Sequence, residues 1–263
     1  MYLGRNQEFQ FYAIEVRHTA PQKLERLAKA CEAVEKDVWN ACEDFSVYLK
    51  KQSALVYAKK DDEIVGFALF DIHLMGNHLL VAVNECMVLR RCQGAGLPSI
   101  FSAILTWHIR KSNRLLGKHK KYDAVVILSS TVNFKIMKGF QRYDWLADKS
   151  SFRPDKEIKE VAKQYIQKEN LELLTAENLF FLKAAFPNAV KTNSSEDKPA
   201  FVPSEFMSSR GDAYLYVAKL KKLWIFHLMS RWVLWKHGFR FSKRIIPLSR
   251  MAREGIIYSR TNE

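Results

Sequence analysis

Leu79-Leu80-Val81-Ala82-Val83-Asn84-Glu85-Cys86-Met87-Val88-Leu89 runs without a break into Arg90-Arg91-Cys92-Gln93-Gly94-Ala95-Gly96-Leu97-Pro98. The first eleven residues read as an apolar strand carrying one acid, and the two glycines read as a turn. A helix follows from Pro98 to about Arg114, with proline in the first turn, where its missing N–H does no harm. Glycine lets N–H groups approach a ligand with no Cβ in the way. The helix N-terminus adds unsatisfied N–H groups and a partial positive charge at the same spot. Strand, glycine turn and helix together describe an anion site suited to phosphate. They describe equally well a tight turn that only reverses the chain.

Outward from this stretch, strands and helices alternate. Gln7 to His18 alternates in a strand pattern, and Pro21 opens a helix whose apolar stripe runs Leu24, Leu27, Ala28, Cys31, Val34, Val38, Cys42 and Phe45. Ala54 to Ala58 and Ile64 to Leu74 are β-rich runs around Lys59-Lys60-Asp61-Asp62-Glu63, the pattern of a hairpin. Asp123 to Ser129 reads as a central strand, Asn133 to Lys138 as a short helix stopped at Gly139-Phe140, and Arg142 to Leu146 as a last strand. The predicted order is β-α-β-β-β-α-β-α-β over about the first 146 residues. Beyond Pro154 the pattern becomes helical, with a polar loop from Lys191 to Pro199 and one long helix from Ala213 to about Lys236 that Gly238 stops. The expected fold is α/β (α+β), a mixed central sheet flanked by helices. The expected domains are residues 1–150 and a mainly helical, basic extension over 151–263.

The chain has 263 residues, 48 % of them apolar, which excludes a disordered or collagen-like chain. Lys+Arg number 42 against 28 Asp+Glu, and residues 211–263 alone hold eleven against three. Such a surface attracts anions: phosphorylated ligands, acidic proteins, anionic lipid or nucleic acid. Four cysteines without Cys-x-x-Cys spacing and a polar first segment lead us to expect a reduced, cytoplasmic protein. No run of 18 uncharged apolar residues occurs. His73 and His78 lack ligand companions, so no metal site is expected. A Gly-x-Ser-x-Gly elbow is absent.

Among phosphate-binding patterns, a P-loop fails, because Gly96-Leu97-Pro98 stands where Gly-Lys-Ser/Thr is needed. A dinucleotide fingerprint is poorly met, with Ser99 at its third glycine and Arg114, Lys118 and Lys120 where an acid belongs. The stretch resembles the GNAT superfamily of acyl-CoA-dependent N-acyltransferases, whose pattern is Gln/Arg-x-x-Gly-x-Gly/Ala directly after the fourth strand. Gln93 to Pro98 fits except at Pro98, and a second frame, Arg91 to Gly96, also fits; the lead-in length favours the first. The element order, Asn133 and Gly139-Phe140 extend the resemblance over residues 7–147.

The resemblance implies acetyl-CoA or another acyl-CoA as co-substrate and a small-molecule or peptide amine as acceptor. The amine attacks the thioester directly, so the protein positions both reactants and supplies a base and an acid. It implies cofactor contacts from Gln93, Gly94, Ala95, Gly96 and Leu97, with Arg90 and Arg91 as nearby cations because Pro98 removes one N–H donor. A main-chain N–H among Cys86, Met87 and Val88 polarises the carbonyl. Asn133 reaches the pantetheine arm, and it also suits a helix N-cap. Glu85, the one acid on its strand, is the candidate base, since burial raises a carboxyl pKa toward a useful range. Tyr143 is the candidate acid. The tract Arg110, Lys111, Arg114, Lys118, Lys120, Lys121 reads as a phosphate contact or as a solvated helix end.

Near the C-terminus, Trp224, Trp232 and Trp235 sit among Leu, Ile, Phe and Met between Lys219, Lys221, Lys222, Arg231 and Lys236. One reading is an interfacial helix on anionic membrane. The other is a helix packed on the core, favoured by apolar residues on nearly every face. An acidic carrier protein is a third partner for the basic face. Nucleic acid ranks last, as no reader motif is present.

Overall fold

A computed structural model describes residues 2–39, 44–75, 78–115, 124–186, 198–220 and 223–241, without the side chains of 73–75, 107–115, 223 and 226. Most of the polar loop 191–199 and the side chains of the basic tract 110–121 lie outside the described residues. In chain order the elements are β1 (Tyr2–Arg5), β2 (Gln10–Glu15), α1 (Pro21–Trp39), α2 (Phe45–Lys50), β3 (Ala54–Lys60), β4 (Glu63–Met75), β5 (His78–Val88), α3 (Leu97–Leu115), β6 (Ala124–Thr131), α4 (Phe134–Tyr143), β7 (Ala147–Ser150), α5 (Lys156–Lys168), β8 (Glu172–Thr175), β9 (Asn178–Lys183), β10 (Ala213–Leu220), α6 (Leu223–Lys236) and β11 (Arg240–Phe241). This is the expected mixed α/β class. The described residues divide into two compact units. The first takes them from 1–38, 42–125 and 222–263, the second from 39–41 and 126–221.

The first unit is built on an antiparallel sheet in the order β11-β1-β2-β3-β4-β5. Asp61 and Asp62 both adopt positive φ (49° and 63°), the geometry of a type I′ hairpin, and Lys60 pairs with Glu63 across it. Residues paired across the sheet share a face. Tyr12, Tyr57, Phe67 and Met87 lie on one side, where Tyr12 stacks on Tyr57 at 5.1 Å and Phe45 of α2 meets Phe67 at 5.2 Å. Burial, with Tyr12 and Cys31 adding to it, pushes the Tyr57 phenol up to about 12, which places α1 on this side too. Phe11, Ala58, Gly66 and Val88 lie on the other side, where Phe11 meets Phe101 of α3 and Phe239. α6 packs on α3. Gly238 at φ +62° ends α6 in a left-handed cap, with the Phe239 N–H donating to the Leu234 carbonyl and the Gly238 N–H to Trp235.

The second unit is an antiparallel sheet in the order β6-β10-β9-β8, with β7 also on β10. Its polar anchor is Asp212, fully buried. Its carboxylate accepts from the N–H groups of Ala184 (3.0 Å) and Met207 (2.8 Å) and from Arg210 Nε (2.8 Å).

Three local expectations are corrected here. The helix expected from Ala213 to Lys236 is a strand, β10, followed by α6. Ala213 to Ala218 is buried throughout, because β10 pairs with β6 on one side and with β9 and β7 on the other. A short apolar run buried on both faces carries no period to tell strand from helix. Among its described residues the C-terminal part carries the strands β8, β9, β10 and β11 beside α5 and α6, so these are not the mainly helical extension expected. Gly139-Phe140 does not stop α4. Phe140 stacks on Tyr216 at 4.5 Å, and that packing outweighs the roughly 1 kcal/mol that a mid-helix glycine costs. Arg142 to Leu146 is the end of α4 and a 3-10 turn rather than a strand. Asp144 is held there by Arg153 Nε at 3.0 Å, and the strand begins at Ala147.

Candidate functional site

The site is best built from β5. Leu69 pairs with Glu85 but Phe70 pairs with Val83, so Asn84 is an extra residue, a β-bulge. Its Nδ2 donates to buried Gln52 Oε1 at 2.6 Å, which pins the bulge. A bulge bends a strand and re-aims the next side chain. Glu85 shares the face of Leu69 and Leu55, the face that α1 covers. Cys31 of α1 is fully buried there, and its thiol is pushed far up, by burial first and then by the carboxylates of Glu85, Glu32 and Glu35. Glu35 is itself only 5 % exposed. Three carboxylates, two from α1 and one from β5, thus act on one buried thiol. Glu35 was missed in the sequence, although it lies four residues from Cys31 on the apolar stripe of α1. Cys86, on the opposite face, is exposed. Met87 and Val88 are buried.

Beyond Val88 the chain makes a 3-10 turn over Arg90–Cys92. Gly94 and Gly96 then take φ of +89° and +74°, and α3 starts at once. Both left-handed residues are glycines, as the backbone requires. They fall on both glycine positions of the frame Arg91 to Gly96, so the geometry fits that frame better than the one beginning at Gln93. The Ala95 N–H is engaged by the Cys92 carbonyl at 3.4 Å. Among the described residues, the N–H groups of Gly94, Gly96 and Leu97 find no protein acceptor. Three main-chain donors at the start of a 19-residue helix form the arrangement a diphosphate needs, so this chain's turn fits that group. Arg90 and Arg91 are otherwise employed. The Arg90 N–H donates to Asp37 Oδ2 at 2.7 Å and its guanidinium to the Val38 carbonyl at 3.2 Å, while Arg91 pairs with Glu63. Gln93 Nε2 donates back to the Val88 carbonyl at 3.3 Å.

A residue from the far end of the chain reaches this turn. A Cβ built on Gly96 would lie 2.2 Å from His237 Cε1, so the imidazole rests directly on the glycine. Desolvation, then Lys236, lowers the pKa of His237. Nothing in the sequence signals this contact.

Asn133 and Tyr143 belong to the second unit. Asn133 caps α4, its Oδ1 accepting from the N–H groups of Lys135 (2.9 Å) and Ile136 (3.4 Å). Tyr143 ends the same helix, half exposed, with the Arg142 guanidinium 5.8 Å from its ring centre. Neither contact marks it as an acid. A cavity of about 420 Å³ opens on the α1 face of the first unit, lined by Lys23, Arg26, Leu27, Val34, Tyr57 and Lys59 among others; Gly94 to Leu97 do not line it. Among the described residues no cluster is placed to hold a metal ion, and no described helix is long and apolar enough to cross a membrane.

No family model matches the chain, and no curated protein resembles it in sequence. Solved structures similar to it include acetyltransferases, two of them named as members of the GNAT family. A ribosomal-protein-alanine N-acetyltransferase from Brucella melitensis biovar Abortus 2308 is 14 % identical, with a TM-score of 0.37, covering 52 % of this chain and 91 % of that one. A GNAT family acetyltransferase from Elizabethkingia anophelis, solved with acetyl-CoA bound, is 16 % identical with a TM-score of 0.36, covering 81 % and 99 %. An aminoglycoside acetyltransferase from an uncultured soil metagenomic sample is 16 % identical with a TM-score of 0.33, covering 51 % and 86 %. These are distant likenesses of fold, and the functional reading rests on this chain's own geometry.

Proposed function

We propose that the chain is an N-acyltransferase of GNAT type that moves an acetyl or longer acyl group from CoA to a primary amine. The observation that supports this is the trio of unengaged N–H groups at Gly94, Gly96 and Leu97, set at the start of α3 just beyond a bulged strand carrying an acid. In this reading those three donors hold the diphosphate of acyl-CoA, and bound acyl-CoA supplies an acyl group activated as a thioester. A main-chain N–H among residues 86–88 polarises the carbonyl. Glu85 takes a proton from the incoming ammonium. The acceptor is a small-molecule or peptide amine.

Thermal shift with acetyl-CoA, and thiol release with a panel of amines, test the reading. A shift together with amine-dependent release supports it. A shift without release makes the chain a non-catalytic acyl-CoA-binding protein. The absence of a shift with acetyl- and longer acyl-CoA alike overturns it.

A further inference from the structure

α6 is built inside out. Its inward arc carries His227, Ser230 and Leu234, at 7, 6 and 3 % exposure. Its outward arc carries Trp224, Leu228, Trp232 and Trp235, at 58, 53, 55 and 77 %. At about 100° per residue these four fall within an arc of about 80°. Arg231 lies just outside one edge of that arc and Lys236 just outside the other, both exposed. Lys236 Nζ stands 5.2 Å from the centre of the Trp232 ring. Single exposed apolar residues are ordinary on a protein surface, but three tryptophans and a leucine in one stripe offer on the order of 500 Å² of contiguous apolar surface.

The charge around the stripe selects its partner. From Ala213 to Arg253 the sequence holds ten Lys+Arg and not one Asp or Glu. A second copy of the chain would set this basic segment against itself, and like charges at an interface are unfavourable. The stripe is a convex helical ridge, so a flat, deformable, anionic surface fits it. With 14 residues the helix is about 21 Å long, too short to span a bilayer and long enough to lie along one. We infer that α6 lies on a bilayer surface rich in anionic phospholipid. Trp224, Leu228, Trp232 and Trp235 enter the interfacial layer, and Arg231, Lys236 and Arg240 meet the headgroup phosphates. This stands independently of the acyltransferase reading.

The test is co-sedimentation of the full chain with phosphatidylcholine vesicles, with and without phosphatidylserine, together with the tryptophan emission spectrum. Binding is expected on the phosphatidylserine vesicles at low salt, with a blue-shifted emission, and it falls at least about ten-fold in high salt. Arg231→Gln and Lys236→Gln each weaken it about five-fold. Trp232→Ser with Trp235→Ser weakens it more than about ten-fold while leaving thermal stability unchanged, because both side chains are exposed. No binding to the anionic vesicles at low salt overturns the inference. So does binding that the tryptophan substitutions leave intact. So, too, does a lipid-free dimer that those substitutions dissolve while vesicle binding is absent, since the occupant would then be a second copy.

Discussion

Gly94→Ala and Gly96→Ala make a matched pair two residues apart. Both glycines sit at left-handed φ, +89° and +74°, so each substitution carries a backbone cost of about 1 kcal/mol. Around Gly94 a Cβ would meet nothing within 4 Å. Around Gly96 it would lie 2.2 Å from His237 Cε1 and 2.7 Å from Nε2. The imidazole has little room to yield. It stands between the capped end of α6 and Phe239, which is buried with its ring centre 5.2 Å from that of Phe11. Forcing such an overlap costs about 1–3 kcal/mol more. Gly96→Ala should therefore destabilise by about 2–4 kcal/mol and Gly94→Ala by about 1. In urea, with a slope of about 2 kcal/mol/M, the Gly96→Ala midpoint falls about 1–2 M and that of Gly94→Ala about 0.5 M. His237→Ala added to Gly96→Ala should return the overlap part and leave only the backbone part, a coupling that a double-mutant cycle reads directly. Equal midpoints for the two single variants, or no rescue by His237→Ala, would refute the reasoning about His237.

Three other outcomes are expected. Glu85→Gln lowers kcat with the best amine by about 10²–10⁴ while the acetyl-CoA thermal shift survives, because the carboxylate acts on the amine and the turn on the diphosphate. Asn133→Ala lowers stability by about 1 kcal/mol through loss of the α4 cap, and Asn133→Asp restores most of it, read in thermal melts. Burial alone would raise the Asp212 carboxyl, but hydrogen bonds from Arg210, Ala184 and Met207 hold it below its ordinary value. Its stabilisation is therefore complete above the unfolded carboxylate pKa of about 4 and lost as pH falls through the lower folded value. Asp212→Asn should flatten the melting temperature below about pH 4 and lower it at neutral pH, because the carboxylate that accepts from Ala184, Met207 and Arg210 is lost. An unchanged acid limb would refute the assignment.

Much of the fold was legible in the residues themselves. The Asp61-Asp62 hairpin, the stripe of α1, the glycine turn and the Gly238 stop are set by neighbours a few residues apart, where turn chemistry and periodicity speak. What the sequence left open depends on distant partners. The bulge at Asn84 exists only in the register of β5 against β4, and a one-residue slip is invisible to either strand alone. β10 reads as helix until β6, β7 and β9 pair with it. Glu35 and Glu85 act together only because α1 covers the face that the bulge gives Glu85. His237 reaches Gly96 only because α6 packs on α3. α6 itself is apolar on most faces, and composition alone suggests burial. Packing against α3 chose the arc with His227 and Ser230 as the inner one and left the tryptophans outside. Local sequence thus determined the elements and the turn. Tertiary packing decided the faces, because a side chain's surroundings are set by whatever the rest of the chain brings against it.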